Sequence, residues 1–163
     1  MRYGGATEYE ALKTEWHSTS SVDGKDIALR AMGRLQTPEL LSDYLAFMSK
    51  DVAPQDVHTA AMALAANAKT RAGLWKYIKD NFTEVHSRLS GNMVVLDRFL
   101  RLSLTKFADK ETEKDIKGFF EGKDNRGYDR TLNIISDTIS GRAAYKERDG
   151  KDILEWLRSN GYA

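Results

Sequence analysis

Hydrophobic residues recur every three or four positions along almost the whole chain, which is the spacing that places them on one face of an α-helix. The clearest stripe comprises Leu40, Leu41, Tyr44, Leu45 and Met48. No segment shows the sustained alternation of polar and β-branched residues that is typical of a half-buried strand. The sequence therefore predicts an all-α protein.

A pair of short helices lies near the middle of the chain. Leu74, Trp75 and Ile78 form one stripe, the polar residues 80–81 interrupt it, and a second stripe with a new phase begins at Phe82. Neither helix could bury its stripe alone, so both must pack against neighbouring helices. We predict that Trp75 is a core anchor of this region.

Breaks between the stripes divide the chain into about ten helices. The predicted ranges are 6–17, 22–35, a third helix that starts at Pro38, 54–67, the central pair within 67–88, 92–105, 109–122, 126–146 and 149–160. Short connections between such helices are typical of antiparallel hairpins stacked side by side. The pattern has no strict period, so the predicted fold is an irregular α-solenoid, formed by residues 1–163 as a single helical-repeat domain.

Predicted helix boundaries rest on capping residues. Thr37-Pro38 has the order of an N-cap and a first-turn proline, Asn92 and Asp109 precede two further helices, and Gly122 follows one. Asp149-Gly150 is interpreted as a restart that separates the ninth helix from the tenth. The large aromatic residues fall on the apolar stripes and are predicted to lie in the core: Trp16, Trp75, Phe99, Phe119 and Trp156, the last packed together with Ile153 and Leu157.

Composition excludes several classes of partner and of location. The chain is 41% hydrophobic and 30% charged with a net charge of +1, so neither nucleic acid nor a membrane surface is an expected partner. Its longest apolar run, 60–66, is far shorter than the about 20 residues that span a bilayer. There is no cysteine, which favours a reducing compartment, and we predict a cytoplasmic location.

The residues of the chain offer no catalytic motif. His17, His58 and His86 are widely spaced and there is no H-E-x-x-H, so no zinc site is expected. No glycine-rich phosphate-binding motif and no nucleophile elbow is present. We therefore expect neither catalysis nor a bound cofactor in this chain alone.

Arg98 and Arg101 are the candidate binding residues. Together with Thr105 they share one edge of the predicted seventh helix, opposite its apolar stripe, and no acid is evident on the next turn. Guanidinium groups suit the bidentate binding of carboxylates. The alternative interpretation is a solvated face whose arginines pair with nearby acids, and the sequence leaves both open.

The order of the landmarks resembles a known family. Gly4-Gly5 with Glu8-Tyr9 comes first, and it is followed in order by Gln55-Asp56, Asn67-x-x-x-Arg71-x-x-x-Trp75, Asp80-Asn81-Phe82, Arg98-Phe99-Leu100, Phe107, Phe119-Phe120 and Trp156-Leu157. This arrangement is similar to the C-terminal helical domain of the gluzincin zinc aminopeptidases, including their fungal members. The resemblance covers nearly the whole chain but only about the last half of that domain, which implies a fragment.

The resemblance implies a function that the residues alone do not. In such enzymes the zinc site belongs to another domain, and the helical domain is a concave cap that limits which peptides enter and in some members binds the far end of the substrate. The implied partners are the catalytic domain of the same parent chain and peptide substrates, with zinc in that catalytic domain. Arg98 and Arg101 are then candidates for holding the peptide's terminal carboxylate. The alternative function is a free-standing helical-repeat adaptor that binds another protein.

Overall fold

All the regular secondary structure of the described residues is helical. The structure is a computed structural model that describes residues 4–37 and 39–162, and within these ranges it has nine α-helices and no strand. The helices are α1 Ala6–Ser18, α2 Val22–Met32, α3 Glu39–Lys50, α4 Val57–Ala66, α5 Arg71–Asp80, α6 Phe82–Leu89, α7 Met93–Leu104, α8 Lys110–Phe120 and α9 Asp129–Ser159. The predicted all-α, solenoid-like class is confirmed.

The helices group into two compact units, Met1–Lys106 with α1 to α7 and Phe107–Ala163 with α8 and α9. In the first unit α4 packs against α2, α3, α5 and α7. Its alanines are buried on several sides, as Ala60, Ala61 and Ala65 show. Small side chains let helix axes approach closely, and this is why a short helix can contact four others.

Three of the predicted caps are present. The Oδ1 atom of Asn92 accepts a hydrogen bond of 3.1 Å from the backbone N–H of Val94 at the start of α7. Asp109 does the same for the N–H of Thr112 in α8, at 2.8 Å. Gly122 follows the end of α8 with φ of +75°, a left-handed conformation that glycine adopts without strain. Pro38 lies outside the described residues.

The predicted break between a ninth and a tenth helix is wrong, because residues 129–159 form the single helix α9. A glycine ends a helix when it turns left-handed, and Gly150 has no positive φ. Asp149 does not cap a new helix either: its Oδ1 and Oδ2 atoms accept hydrogen bonds of 2.8 Å from the guanidinium of Arg148.

The predicted burial of the aromatic residues is only partly correct. Trp75 is 5% exposed and Phe99 is buried, whereas Trp156 is 60% exposed and its ring stacks on that of Tyr162. Ile153, which was expected to pack beside Trp156, is exposed as well, and Leu157, Trp16 and Phe119 are half-buried. Helix α8 has 11 residues and α9 has 31, so within their unit α8 is too short to cover the C-terminal part of α9.

A charged contact links α1 to α3 in the first unit. The hydroxyl of the buried Tyr9 donates a hydrogen bond of 2.6 Å to Oδ2 of Asp43, and the Nζ atom of Lys13 lies 2.9 Å from the same oxygen. The hydrogen bond from Tyr9, assisted by Lys13, lowers the pKa of Asp43 below its usual value because both groups stabilise the ionised carboxylate.

We expect Asp43→Asn to weaken the fold at neutral pH by about 1 kcal/mol, a modest value because the carboxylate is partly exposed. Since the folded-state pKa of Asp43 is depressed, its stabilisation is complete above the unfolded-state pKa of about 3.9 and is lost as the pH falls through the lower folded-state pKa. Urea unfolding from neutral to strongly acidic pH measures this. The two proteins should converge in acid, whereas exposed Asp51→Asn should resemble the unchanged chain throughout. A difference that persists in strong acid would show that ionisation of Asp43 is irrelevant.

Candidate functional site

Helices α2 and α4 approach each other so closely that a side chain would not fit between them. A Cβ atom added to Gly33, just after α2, would lie 2.4 Å from the Cβ atom of Ala63 and 3.1 Å from its carbonyl carbon. Gly33 itself has ordinary right-handed backbone angles. The glycine is therefore required for close approach and not for an unusual conformation.

A groove of about 600 Å³ runs over this contact. Because α4 packs against both α2 and α7, it forms the floor, to which Met62, Ala63 and Ala66 contribute. Side chains of α2 and of the segment that follows it line one side, and the end of α7 lines the other. The alanines of α4 thus leave a concave surface between the longer side chains that line the two sides of the groove.

The walls of this groove are basic. Its lining includes Arg30 and Arg34 on the α2 side and Lys106 after α7, and no carboxylate lines it within the described ranges. Arg30 forms an ion pair of 2.6 Å with Asp26, one turn earlier on α2. Arg34 and Lys106 are exposed and have no acidic partner among residues 4–37 and 39–162. Two positive charges are therefore available for an anionic ligand.

A side-chain amide holds the chain next to Arg34 in place. The Nδ2 atom of Asn67, at the end of α4, donates a hydrogen bond of 2.6 Å to the carbonyl oxygen of Leu35. Its Oδ1 atom accepts a bond of 3.0 Å from the backbone N–H of Lys69. With both ends of the amide engaged, the segment that carries Arg34 is fixed to the floor of the groove.

The predicted site residues lie on α7 outside the groove lining. Arg98 and Arg101 are both exposed. The Nε atom of Arg101 lies 3.9 Å from Oδ2 of Asp97, four residues earlier, where helical geometry places it on the same edge. Arg101 therefore has an acidic neighbour on the preceding turn of α7. Such an exposed ion pair is weak and leaves Arg101 able to exchange partners.

Arg98 lies near the start of α4. Burial lowers the pKa of His58, and the positive charge of Arg98 lowers it further. Leu102 follows Arg98 by four residues on the same edge of α7, and Lys106 lies four residues further on, just after the end of the helix. Both Leu102 and Lys106 line the groove.

Of the three residues on the edge predicted from the sequence, Thr105 lines the groove and Arg98 and Arg101 do not. Arg30 on α2 and Arg34 just after it line the groove and were not predicted as site residues. The sequence does hold a signal for these two residues: Arg30 and Arg34 are four positions apart, as on one face of a helix, with Gly33 between them.

The described residues show neither a metal centre nor a membrane span. No group of three or more histidine, cysteine, aspartate or glutamate side chains there could hold a metal ion, so they do not fit zinc. No helix among them is both long enough and apolar enough to cross a bilayer. The exposed Arg34 and Lys106 make the binding of an anionic group in the basic groove the candidate chemistry of the first unit.

Comparison with known proteins identifies the family. The model of the ERAP1-like C-terminal domain matches residues 1–141. The chain belongs to this family. This confirms the resemblance to the C-terminal helical domain of zinc aminopeptidases, and fungal relatives support it over nearly the whole chain.

Three of the relatives are named aminopeptidases of yeasts. Aminopeptidase 2 of Candida albicans is 31% identical over 99% of this chain and 18% of its own length. Mitochondrial aminopeptidase 2 of Saccharomyces cerevisiae is 31% identical over 99% of this chain and 17% of its own length. The alanine/arginine aminopeptidase of the same yeast is 32% identical over 99% and 19%, respectively. The chain thus spans less than a fifth of the relatives that it matches.

Proposed function

We propose that this chain is the non-catalytic cap domain of a zinc-dependent aminopeptidase and that it shapes the access of peptides to the zinc site. The observation that supports this is the match to aminopeptidases over 99% of the chain, together with the match of residues 1–141 to the model of a C-terminal domain. Zinc and the catalytic residues then belong to the catalytic domain of the same parent chain, which is the main partner.

The coding sequence upstream of Met1 tests this assignment. An H-E-x-x-H region in the same reading frame supports the cap, since that motif supplies two zinc ligands and a general base. A natural start at Met1 supports the alternative, a free-standing helical-repeat adaptor. The aminopeptidase relatives do not favour that alternative. A cytoplasmic location stays a prediction, because the name of one yeast relative assigns that protein to mitochondria.

Our finer proposal is that basic residues of the first unit, either in the basic groove or on α7, hold the terminal carboxylate of a peptide substrate. A peptide trimmed from its N-terminus has its first residues at the zinc and its carboxylate at the far end. Arg34 and Lys106 are the better placed pair, because they line a concave groove and have no acidic partner in the described part of the chain. Arg98 and Arg101 are the second pair.

We expect Arg34→Ala/Lys106→Ala in the full parent enzyme to reduce the preference for a long peptide acid over its C-terminal amide by about 10-fold. A charge-assisted hydrogen bond of about 1.5 kcal/mol or more corresponds to this factor. The measurement is kcat/KM for both forms of the peptide and for a small aminoacyl amide, whose hydrolysis should not change.

The Arg98→Ala/Arg101→Ala variant decides between the two pairs of basic residues. Exposed Lys50→Ala on α3 is a matched control that removes a positive charge elsewhere in the first unit. If both double variants keep the full preference for the acid, the groove does not read the carboxylate, while the assignment as a cap domain still stands or falls with the upstream sequence.

A further inference from the structure

A second groove, in the unit of α8 and α9, has the opposite charge. It has a volume of about 600 Å³, within the range of about 300–1,000 Å³ typical of ligand sites. Its apolar lining comes from both helices and includes Ile116, Phe120, Leu132 and Ile135. The groove is open, and the half-buried Leu132 presents apolar surface to it.

One acidic group of this groove is neutralised inside the unit. The Oε1 atom of Glu113 lies 2.7 Å from Nζ of Lys117 and accepts a hydrogen bond of 2.8 Å from the hydroxyl of Ser136. The hydrogen bond from Ser136 joins α8 to α9, whereas Lys117 is on α8 with Glu113. Both contacts lower the pKa of Glu113, and the bond from Lys117 has the larger effect. The ion pair leaves no net charge at this position.

Two further carboxylates of the lining are not neutralised. Glu121 and Asp137 are exposed, and neither has a basic partner within 4–37 and 39–162. Asn125, which also lines the groove, donates through Nδ2 to the carbonyl oxygen of Phe120 at 3.1 Å, while its buried Oδ1 atom has no partner there. The groove therefore offers apolar contact together with two negative charges.

We propose that the α8/α9 groove is a docking site for a basic amphipathic helix of another protein, with leucine-like anchors against the floor and arginine or lysine beside Glu121 and Asp137. A groove between two packed helices accepts the apolar face of a third helix. The two carboxylates without a basic partner favour a basic helix, because opposite charges attract across an interface. They disfavour an acidic helix, because like charges repel. This proposal does not depend on the activity of the parent enzyme.

The test uses two synthetic fluorescent peptides and the 163-residue chain. One is a helical peptide of leucine and arginine, and the other has glutamate in place of every arginine. Fluorescence anisotropy at low and at physiological salt gives the affinities. We expect the arginine peptide to bind and the glutamate peptide not to bind, with affinity that falls as the salt concentration rises.

Glu121→Gln/Asp137→Asn should weaken binding of the arginine peptide about 3- to 30-fold, the range expected for two exposed ion pairs. Asp152→Asn/Glu155→Gln, on an exposed part of α9 outside the groove lining, is the matched control and should leave the affinity unchanged. Circular dichroism verifies that both variants keep their helices.

Three results would overturn the proposal. They are equal binding of the two peptides, an equal loss of affinity in the control variant, and no binding of the arginine peptide at millimolar concentration. Sedimentation of the chain alone adds a fourth: a dimer abolished by the groove variant would identify a second copy as the occupant instead of a basic helix.

Discussion

Trp75→Ala should lower the free energy of unfolding by about 3 to 5 kcal/mol, because it removes a large buried aromatic side chain and leaves a cavity. Trp75 lies on α5, which packs against α3, α4, α6 and α7, so the cavity would open at the centre of the first unit. A domain of this size is stable by only about 5–15 kcal/mol. The substitution would thus remove a large part of the stability of the unit.

The same substitution at Trp156 is the matched control. Trp156 is 60% exposed and contacts Tyr162 by stacking, so its replacement should change the stability by less than about 1 kcal/mol. Urea unfolding followed by circular dichroism measures both variants. Equal effects at the two positions would contradict the burial of Trp75, and a melting temperature of Trp75→Ala that matches the unchanged chain would show it to be peripheral.

Gly33→Ala should destabilise the first unit by about 1–3 kcal/mol through overpacking. The new methyl group would meet Ala63 at 2.4 Å and the backbone nitrogen of Leu64 at 3.2 Å. Backbone atoms cannot rotate away as a flexible side chain can, so α2 would have to move away from α4. The floor of the basic groove would widen with it, and the effect of Arg34 on binding of a peptide carboxylate should fall.

Gly91→Ala is the control for this effect in the same unit. A Cβ atom at Gly91 would meet nothing within 4 Å, and its φ is not positive. Its substitution should be neutral or stabilise slightly, since alanine restricts the unfolded chain more than glycine does. If thermal unfolding shows the two alanine variants to be equally stable, then the close approach of α2 and α4 does not limit packing.

The periodicity of the sequence was sufficient to predict most of the helices and several of their ends. Apolar spacing of three and four residues reports one buried face, and a side-chain cap such as Asn92 or Asp109 acts within three residues of its own position. Such local interactions depend on residues close in the chain, so they can be predicted without knowledge of the tertiary structure. The break at 149–150 was predicted wrongly because a glycine only permits a left-handed turn and does not require it.

The candidate site was only half accessible from the sequence. Arg98 and Arg101 could be selected because helical spacing alone places them on one edge of α7. Arg34 could not be joined to Lys106, because 72 positions separate them in the sequence, and they line one groove only because α2 and α7 both pack on α4. The burial of Trp75 and the exposure of Trp156 could not be told apart from the sequence either. Both tryptophans lie on apolar stripes, and the neighbouring helices decide which stripe is covered.

By itself, the sequence determined the helical class, the positions of three caps, the absence of cysteine and the family, because each depends on residues close in the chain or on their order. The tertiary structure decided which charges lack a partner, where grooves lie and which aromatic residues are buried. These properties depend on distances between helices that are far apart in the sequence, and those distances are set by side-chain volumes at contacts such as Gly33 with Ala63.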